Sequence, residues 1–544
     1  MSFPMPRLRP RAGALPRAVL VPIAALVSIA GYAAPPAAPS NVIYQSGPKQ
    51  MIFTWDIVPR SNYYELWFKA NDGAAPVKFG ERKPWDPQWH NGVSAHLLNW
   101  SQVRWEIRAC NPSGCSSTGL IDTGSTVVDT VGYVKTTHPA AEARFGGATA
   151  VSEDGKTFAA VAGDEPVTGG MAAAVYVFRS TNGKWSQISR FVPALQPKAG
   201  DAEDANLSLR ADGEQLFVSL PHERCPSPQT ADDGAVHVFS RGSSGAWSAN
   251  RTFTNPGRGP FGVFAQANEA GNVLAYSQQA GGPRIEIWSE SGGHWTLQRE
   301  VTGRGTAECK FDLSGNGQWL ARSCTSTEAV EIFNAHDDTN GIGVVGPPLP
   351  AGHDVGPVAL DFDAVRVAIT TRPRDVSESA YVAAAWKPVV QVYKRDSWLS
   401  GYQQVSTLRP STLQSTAYAR RSLFGDSLAM SHAGTYIAVN DPHDSLGRRG
   451  VWPPDELDGG GSSSPPWGAV YLFEPAGIGY RLRRHIGPQG APDPAAEGVF
   501  GPPALGDDGK TMVIGQPLDD GSLSGIGPFL LSGQLEGSGA VWLY

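Results

Sequence analysis

The densest run of side chains able to do chemistry is Asp441-Pro-His-Asp444, two carboxylates around an imidazole. Such a set can ligate a metal, or divide into a general acid and a general base. Asp441, His443 and Asp444 are therefore candidate metal ligands, and so are Asp519 and Asp520, adjacent carboxylates ahead of Gly521. Asp361-Phe-Asp363 is a sparser pair. None of these runs supplies the oxygens that calcium prefers, and Asp and Gly are frequent in turns for conformational reasons. Better-defined signatures are missing: no Walker loop, no His-Glu-x-x-His and no Gly-x-Ser-x-Gly elbow occurs. No catalytic residue is assigned and no cofactor is expected.

The five cysteines suit an oxidising compartment. Cys110 and Cys115 flank a turn containing Pro112 and Gly114, and Cys309 and Cys324 flank Ser314-Gly-Asn-Gly317. Two antiparallel hairpins would place each pair in bridging range, leaving Cys225 free. Zinc is the competing use of cysteine, but no Cys-x-x-Cys pair exists.

These residues must be carried by a largely β framework. The chain has 544 residues, 63 of them Gly and 44 Pro, and 17% are charged. Its net charge of −7 and lack of a basic stripe argue against nucleic acid or an anionic membrane as partner. Arg7, Arg9, Arg11 and Arg17 precede the apolar run 18–34, with small residues at Gly31, Ala33 and Ala34. That pattern predicts a cleaved secretory signal over 1–34, hence export to the periplasm, cell surface or medium. The run holds Pro22 and is short for a spanning helix, so no stable membrane insertion is expected after cleavage.

Residues 35–128 read as a small antiparallel sandwich. Segments 51–56, 63–69, 96–100 and 104–110 have strand character, with Pro, Gly and Asn between them. Pro39-Ser-Asn41, Phe53-Thr-Trp55, Tyr64-Glu-Leu66 and Val103–Asn111 resemble a fibronectin type III domain. Trp55 belongs in its core. Trp85, Trp89 and Trp100 could form a sugar-stacking surface, although core or rim packing is the commoner use of such rings.

Residues 129–544 repeat. A small residue, alternating aliphatics and an aromatic recur in Ala173-Ala-Val-Tyr-Val-Phe178 and Gly234-Ala-Val-His-Val-Phe239, and in five further copies ending at Gly539-Ala-Val-Trp-Leu-Tyr544. Upstream of most copies lies a Gly-containing hairpin turn: Ser152–Gly155, Ala211–Gly213, Glu269–Gly271, His432–Gly434 and Asp507–Gly509. Downstream lies a strand such as Trp185–Phe191 or Tyr480–Ile486. Four strands in seven units predict an all-β, seven-bladed β-propeller. The last unit lacks its fourth strand, which 131–137 would supply, closing the ring without an exposed edge.

Phe145-Gly146, Phe424-Gly425 and Phe500-Gly501, with approximate Gly-Ala-Pro elements at Ser219–Pro221, Asn440–Pro442 and Gly515–Pro517, resemble FG-GAP repeats, the unit of integrin α-like propellers. The resemblance spans 131–544 and is weakest in units 3 to 5. It implies an exported, monomeric propeller that binds a protein or glycan. Integrin-like propellers also use Asp-x-Asp-x-Asp-Gly calcium loops. No copy occurs here, so chelation is expected to leave the thermal midpoint unchanged.

Two function classes follow. One is a non-catalytic interaction or adhesion protein binding through a propeller face, with the sandwich as spacer. The other is a hydrolase or lyase acting on extracellular polysaccharide. Converging Asp, Glu, Arg and His at the ring axis would favour the enzyme, and scattered loop acids would favour binding. The long connection 444–467, rich in Gly, Ser, Pro and Arg, could be a binding loop or a flap.

Overall fold

The computed structural model describes residues 34–544 apart from 72, 101, 169, 194–203, 224–233, 255–260, 279–283, 303–308, 325–328, 338–340, 347–348, 350–352, 374–387, 398–400, 411–421, 458–465, 490–499 and 530–534. The expected signal at 1–34, apart from Ala34, and Cys225 lie outside the described residues.

Alternating aliphatic segments form antiparallel sheets throughout. The first sheet after the N-terminal region joins Thr149–Val151, Thr157–Val167, Gly170–Thr181 and Lys184–Phe191 in sequence order. Four sheets of the same plan follow, opening with Asn206–Leu209, Phe261–Ala267, Cys309–Leu313 and His353–Leu360. The sixth and seventh open with Leu428–Met430 and Pro503–Leu505 and carry a fifth strand each. Each opening strand lies beside the opening strand of the next sheet, and the seventh lies back against the first. The ring is therefore closed, and the fold is a β-propeller with each opening strand on the axis. Apolar residues of facing sheets fill the gaps between them, as where Val175 and Val177 meet Leu216 and Val218.

Closure is made by the expected splice. Gly132–Val134 pairs antiparallel with Ala540–Leu543, Trp542 opposite Tyr133. The Phe-Gly pairs lock neighbouring sheets. Phe145 is buried against Tyr176 of its own sheet, ring centroids 5.4 Å apart. Gly146 has φ +97°, and a Cβ there would sit 2.4 Å from the carbonyl oxygen of Ala540 in the seventh sheet. Gly425 repeats the contact: its carbonyl accepts the Thr370 hydroxyl of the preceding sheet at 2.8 Å. The fifth sheet, whose turn lacks glycine, puts Ala364 at φ +53° in the corresponding place.

The N-terminal region is a sandwich. Ile43–Gly47, Gln50–Thr54 and Gln88–Gly92 form one sheet; Val77–Arg82, Tyr63–Lys69, Arg104–Asn111, Gly114–Ser117 and Ile121–Asp122 form the other. Met51, Phe53, Trp55, Leu66, Trp89 and Trp105 fill it. The expected strand at 96–100 is instead a 3-10 turn, Ala95–Leu97. Its residues are used against the propeller: His96 Nε2 meets the carbonyl of Gly509 at 2.7 Å, and Ser94 donates to that of Lys510 at 2.7 Å. Lys49 Nζ donates to the carbonyls of Lys510 and Tyr544, and Arg483 and Arg484 donate back to those of Leu97 and Leu98. The sandwich core runs without a break into Met512, Ile514, Trp542 and Tyr544. The spacer expectation is thereby corrected, because the two parts share one core.

The tryptophan surface does not assemble either. Trp89 is core, Trp100 is half-buried and donates to the carbonyl of Ala95, and only Trp85 is strongly exposed. The 444–467 connection contributes an added strand: Gly450–Trp452 pairs with the outer strand of the sixth sheet, Gly450 opposite Gly487. Cys110 and Cys115 are opposite each other in register and bridged, as are Cys309 and Cys324.

Candidate functional site

The hairpin between the first and second strands of each propeller sheet ends at the axis, and these turns bond to one another. Asp154 N–H donates to the carbonyl of Ala211 at 3.2 Å, Ala211 N–H to Glu269 at 2.9 Å, and Glu269 N–H to Gly315 at 3.0 Å. The chain of bonds continues from Asn316 to Phe362 and from Phe362 to His432, each 2.9 Å, and Asp507 returns to Glu153 at 2.9 Å. Each turn has one residue in the equivalent position: Glu153, Ala211, Glu269, Gly315, Phe362, His432 and Asp507 in ring order.

Four of these seven are ionisable, and they converge. Nδ1 of His432 lies 2.8 Å from Oε1 of Glu269, 3.2 Å from Oε2 of Glu153 and 4.0 Å from Oδ1 of Asp507. Phe362 stacks on the imidazole, centroids 4.2 Å apart and planes 23° apart, which fixes the ring's orientation. Gly315 leaves the space that Glu269 needs to cross the axis, since a Cβ there would lie 2.1 Å from Oε1 of Glu269. Burial, the hydrogen bond it donates to Glu269 and that residue's charge push the Glu153 carboxyl up to about 9, against the pull of His432. Glu269 is also raised, chiefly by burial. Burial thus favours the neutral form of both acids, and their mutual contact favours the proton on Glu153. A cavity of about 280 Å³ runs along the axis and ends on Glu153, Glu269, Phe362 and His432. Its wall holds Asp312, whose carboxylate accepts the N–H of Leu360 at 2.5 Å and which burial pushes up to about 7.

The acids singled out from sequence are elsewhere. Asp441 is buried and accepts the Ser422 hydroxyl at 2.6 Å and the N–H of Leu423 at 2.9 Å. Burial and Asp444 together push it up to about 7. His443 donates its backbone N–H to Asp441 at 3.2 Å. Asp444 accepts from the Tyr471 hydroxyl, from Leu446 N–H at 3.0 Å and lies 3.4 Å from Nε2 of His485. Burial raises it, but His485 and Tyr471 outweigh burial and hold it low. Asp519 accepts from the Tyr133 hydroxyl, Lys135 Nζ at 3.1 Å and Gly521 N–H at 2.9 Å, while Asp520 accepts Gly537 N–H at 2.8 Å.

Asp444 and Asp519 occupy one recurring position, an acid just beyond the second strand that ties down the third and fourth. Glu165, inside the end of its second strand, does the same to Tyr176 and Arg190, and Glu223 to His237 at 2.5 Å. Among the described residues, the groups of three metal-type donors within 4.8 Å of one another are Glu153, Glu269, His432 and Glu65, Cys110, Cys115. The second has both sulfurs in a disulfide. The first went unread in the sequence because the Gly turns were read for their positive φ alone. Read as a column, the residue two before the glycine is Glu, Ala, Glu, Gly, His and Asp in six of the turns.

No protein-family model matches the chain. No curated protein matches it either. Solved structures do resemble it. The β-propeller domain of Cps50 (Swd1) from Myceliophteria thermophila has a TM-score of 0.45 at 10% identity, over 76% of this chain and 98% of that one. Oligogalacturonate lyase from Vibrio parahaemolyticus has a TM-score of 0.43 at 9% identity, over 76% and 92%. Sqt1 from Saccharomyces cerevisiae has a TM-score of 0.41 at 10% identity, over 74% and 88%. Among the described residues, no helix is long and apolar enough to cross a membrane.

Proposed function

We propose that this is an exported binding protein: a seven-bladed propeller of the FG-GAP kind behind a fibronectin type III-like sandwich, with its ligand site at the axial pole. The observation that carries the reading is the convergence of Glu153, Glu269, His432 and Asp507 on one end of the axial cavity. Half-buried carboxylates of one sign with a single imidazole favour a ligand that brings positive charge to them. The partner is then a protein or glycan presenting a cationic group, or bridged to the pole by a cation.

Glycoside hydrolysis is the less suited use. Its two carboxylates stand about 5 to 9.5 Å apart, flanking the scissile bond. Glu153 and Glu269 instead share a hydrogen bond, leaving no room for a sugar between them. The convergence of Glu, Asp and His on the axis is also the pattern expected of an enzyme, and an imidazole beside a carboxylate on the cavity could take a proton in a lyase; no arginine lines the cavity among the described residues, which leaves binding the better-supported reading.

The test uses residues 35–544, since the sandwich shares the propeller core. Arrays of glycans and of cationic peptides would be probed with the native protein, Glu269→Gln, and Asp396→Asn as a surface control. Binding lost in Glu269→Gln alone supports the reading. Binding equal in all three places the ligand site elsewhere. Steady cleavage of a uronate-containing glycan, abolished in His432→Gln, would install the lyase instead.

A further inference from the structure

We infer that the axial pole takes a divalent transition-metal ion of the zinc class, held by Nδ1 of His432 and one carboxylate oxygen each from Glu153 and Glu269. The inference rests on the binding reading above and names what the pole takes up.

The donors come from three different sheets, and their ligand atoms lie within 4.8 Å of one another. Zinc bonds to N and O at about 2.0–2.2 Å, so tetrahedral donors stand roughly 3.3–3.6 Å apart. The distances from Nδ1 to the two carboxylates, 2.8 and 3.2 Å, need to open by less than about 1 Å. Asp507, 4.0 Å from Nδ1, is within reach as a fourth ligand.

Three features beyond the donors fit the same occupant. Phe362 stacks on the imidazole and holds its plane, and Nδ1 faces the carboxylates. The main-chain bonds between turns fix where each donor starts, so little has to be ordered on binding. The cavity of about 280 Å³ ends on these three side chains and gives room for water or a ligand atom in an open position. One nitrogen with a few carboxylates suits zinc, manganese or cobalt better than calcium, which prefers six to eight oxygens. The absence of Asp-x-Asp-x-Asp-Gly loops is consistent with that choice.

The step is an exchange. The ion enters with no change of oxidation state, and the carboxylates bind it in their deprotonated form, any proton they carry leaving to solvent.

The experiment takes chelator-stripped residues 35–544 and titrates them with Co²⁺, read by its visible ligand-field absorption, then displaces it with Zn²⁺. Calorimetry gives the stoichiometry and the affinity. One equivalent is expected. Affinity should fall about 100-fold or more in His432→Ala and in Glu269→Gln, which keeps the side-chain shape, and stay unchanged in Asp396→Asn. The thermal midpoint should rise with Zn²⁺ in the native protein and not in the variants, so chelation would matter for a loaded sample. Uptake absent at about 1 mM ion, or equal in the native protein and both variants, overturns the proposal. Loss of partner binding in Glu269→Gln with no metal uptake by the native protein would sink the metal and leave the binding reading standing. Metal uptake with no glycan or peptide bound would do the reverse.

Discussion

Acid should weaken the join between sandwich and propeller through one side chain, His96. It is fully buried, with Nε2 on the carbonyl of Gly509, and Nδ1 has no partner among the described residues. Burial, then Lys49, with Arg483 and Arg484 behind it, pulls its folded value down to about 3. Unfolded, an imidazole takes its proton near pH 6.5. Between those values the unfolded chain binds the extra proton, so stability rises with pH and is lost as pH falls below about 6.5. At about 1.4 kcal/mol for each pH unit, a fall to pH 4 removes about 3 kcal/mol. Other groups titrate in the same range, so the measurement is a difference. Urea unfolding of residues 35–544 followed by tryptophan fluorescence at pH 7 and pH 4 would be compared with His96→Gln. Glutamine keeps a donor for Gly509 and does not titrate. The native protein should lose about 3 kcal/mol more than the variant over that span. An equal loss in both would show that His96 is not held neutral at the join. Lys49, pulled down to about 7 by burial, acts in a separate window: its contribution to stability grows as pH rises from about 7 towards 10.5.

Asp519→Ala should cost about 3–5 kcal/mol in urea unfolding, because it strands the buried ammonium of Lys135 and the Tyr133 hydroxyl on the strand that closes the ring. Gly146→Ala should be destabilising by more than about 2 kcal/mol, since its Cβ would meet backbone, whereas Gly292→Ala, also at positive φ but in open space, should cost about 1 kcal/mol. A similar cost in both would refute the sheet-to-sheet lock. Mass mapping of unreduced protein should return Cys110–Cys115 and Cys309–Cys324 with Cys225 alkylatable, and a bridge to Cys225 would overturn that pairing.

Local features were legible without coordinates. Each repeat strand carries its own alternation, each tight turn its own glycine, and both follow from short-range sterics and burial within a few residues. Hence the β fold, the hairpins, both disulfide pairs and the closing strand at 131–137 could all be read from spacing. Segment 96–100 misled because its large apolar residues suit a strand, yet its partners are Gly509, Arg483 and Arg484, about 400 positions away in the sixth and seventh sheets.

The site belonged to the tertiary structure. Asp441, His443 and Asp444 are dense in sequence because the chain must turn there, and the fold uses their oxygens to hold strands. Glu153, Glu269 and His432 look ordinary where they stand, one inside each of three unremarkable turns. Only closure of the ring brings the same turn position from every sheet to a common axis, within hydrogen-bond distance across separations of 116, 163 and 279 residues. Period and composition determine that a ring forms, but which charges face one another across it depends on a symmetry that exists only once the ring is closed.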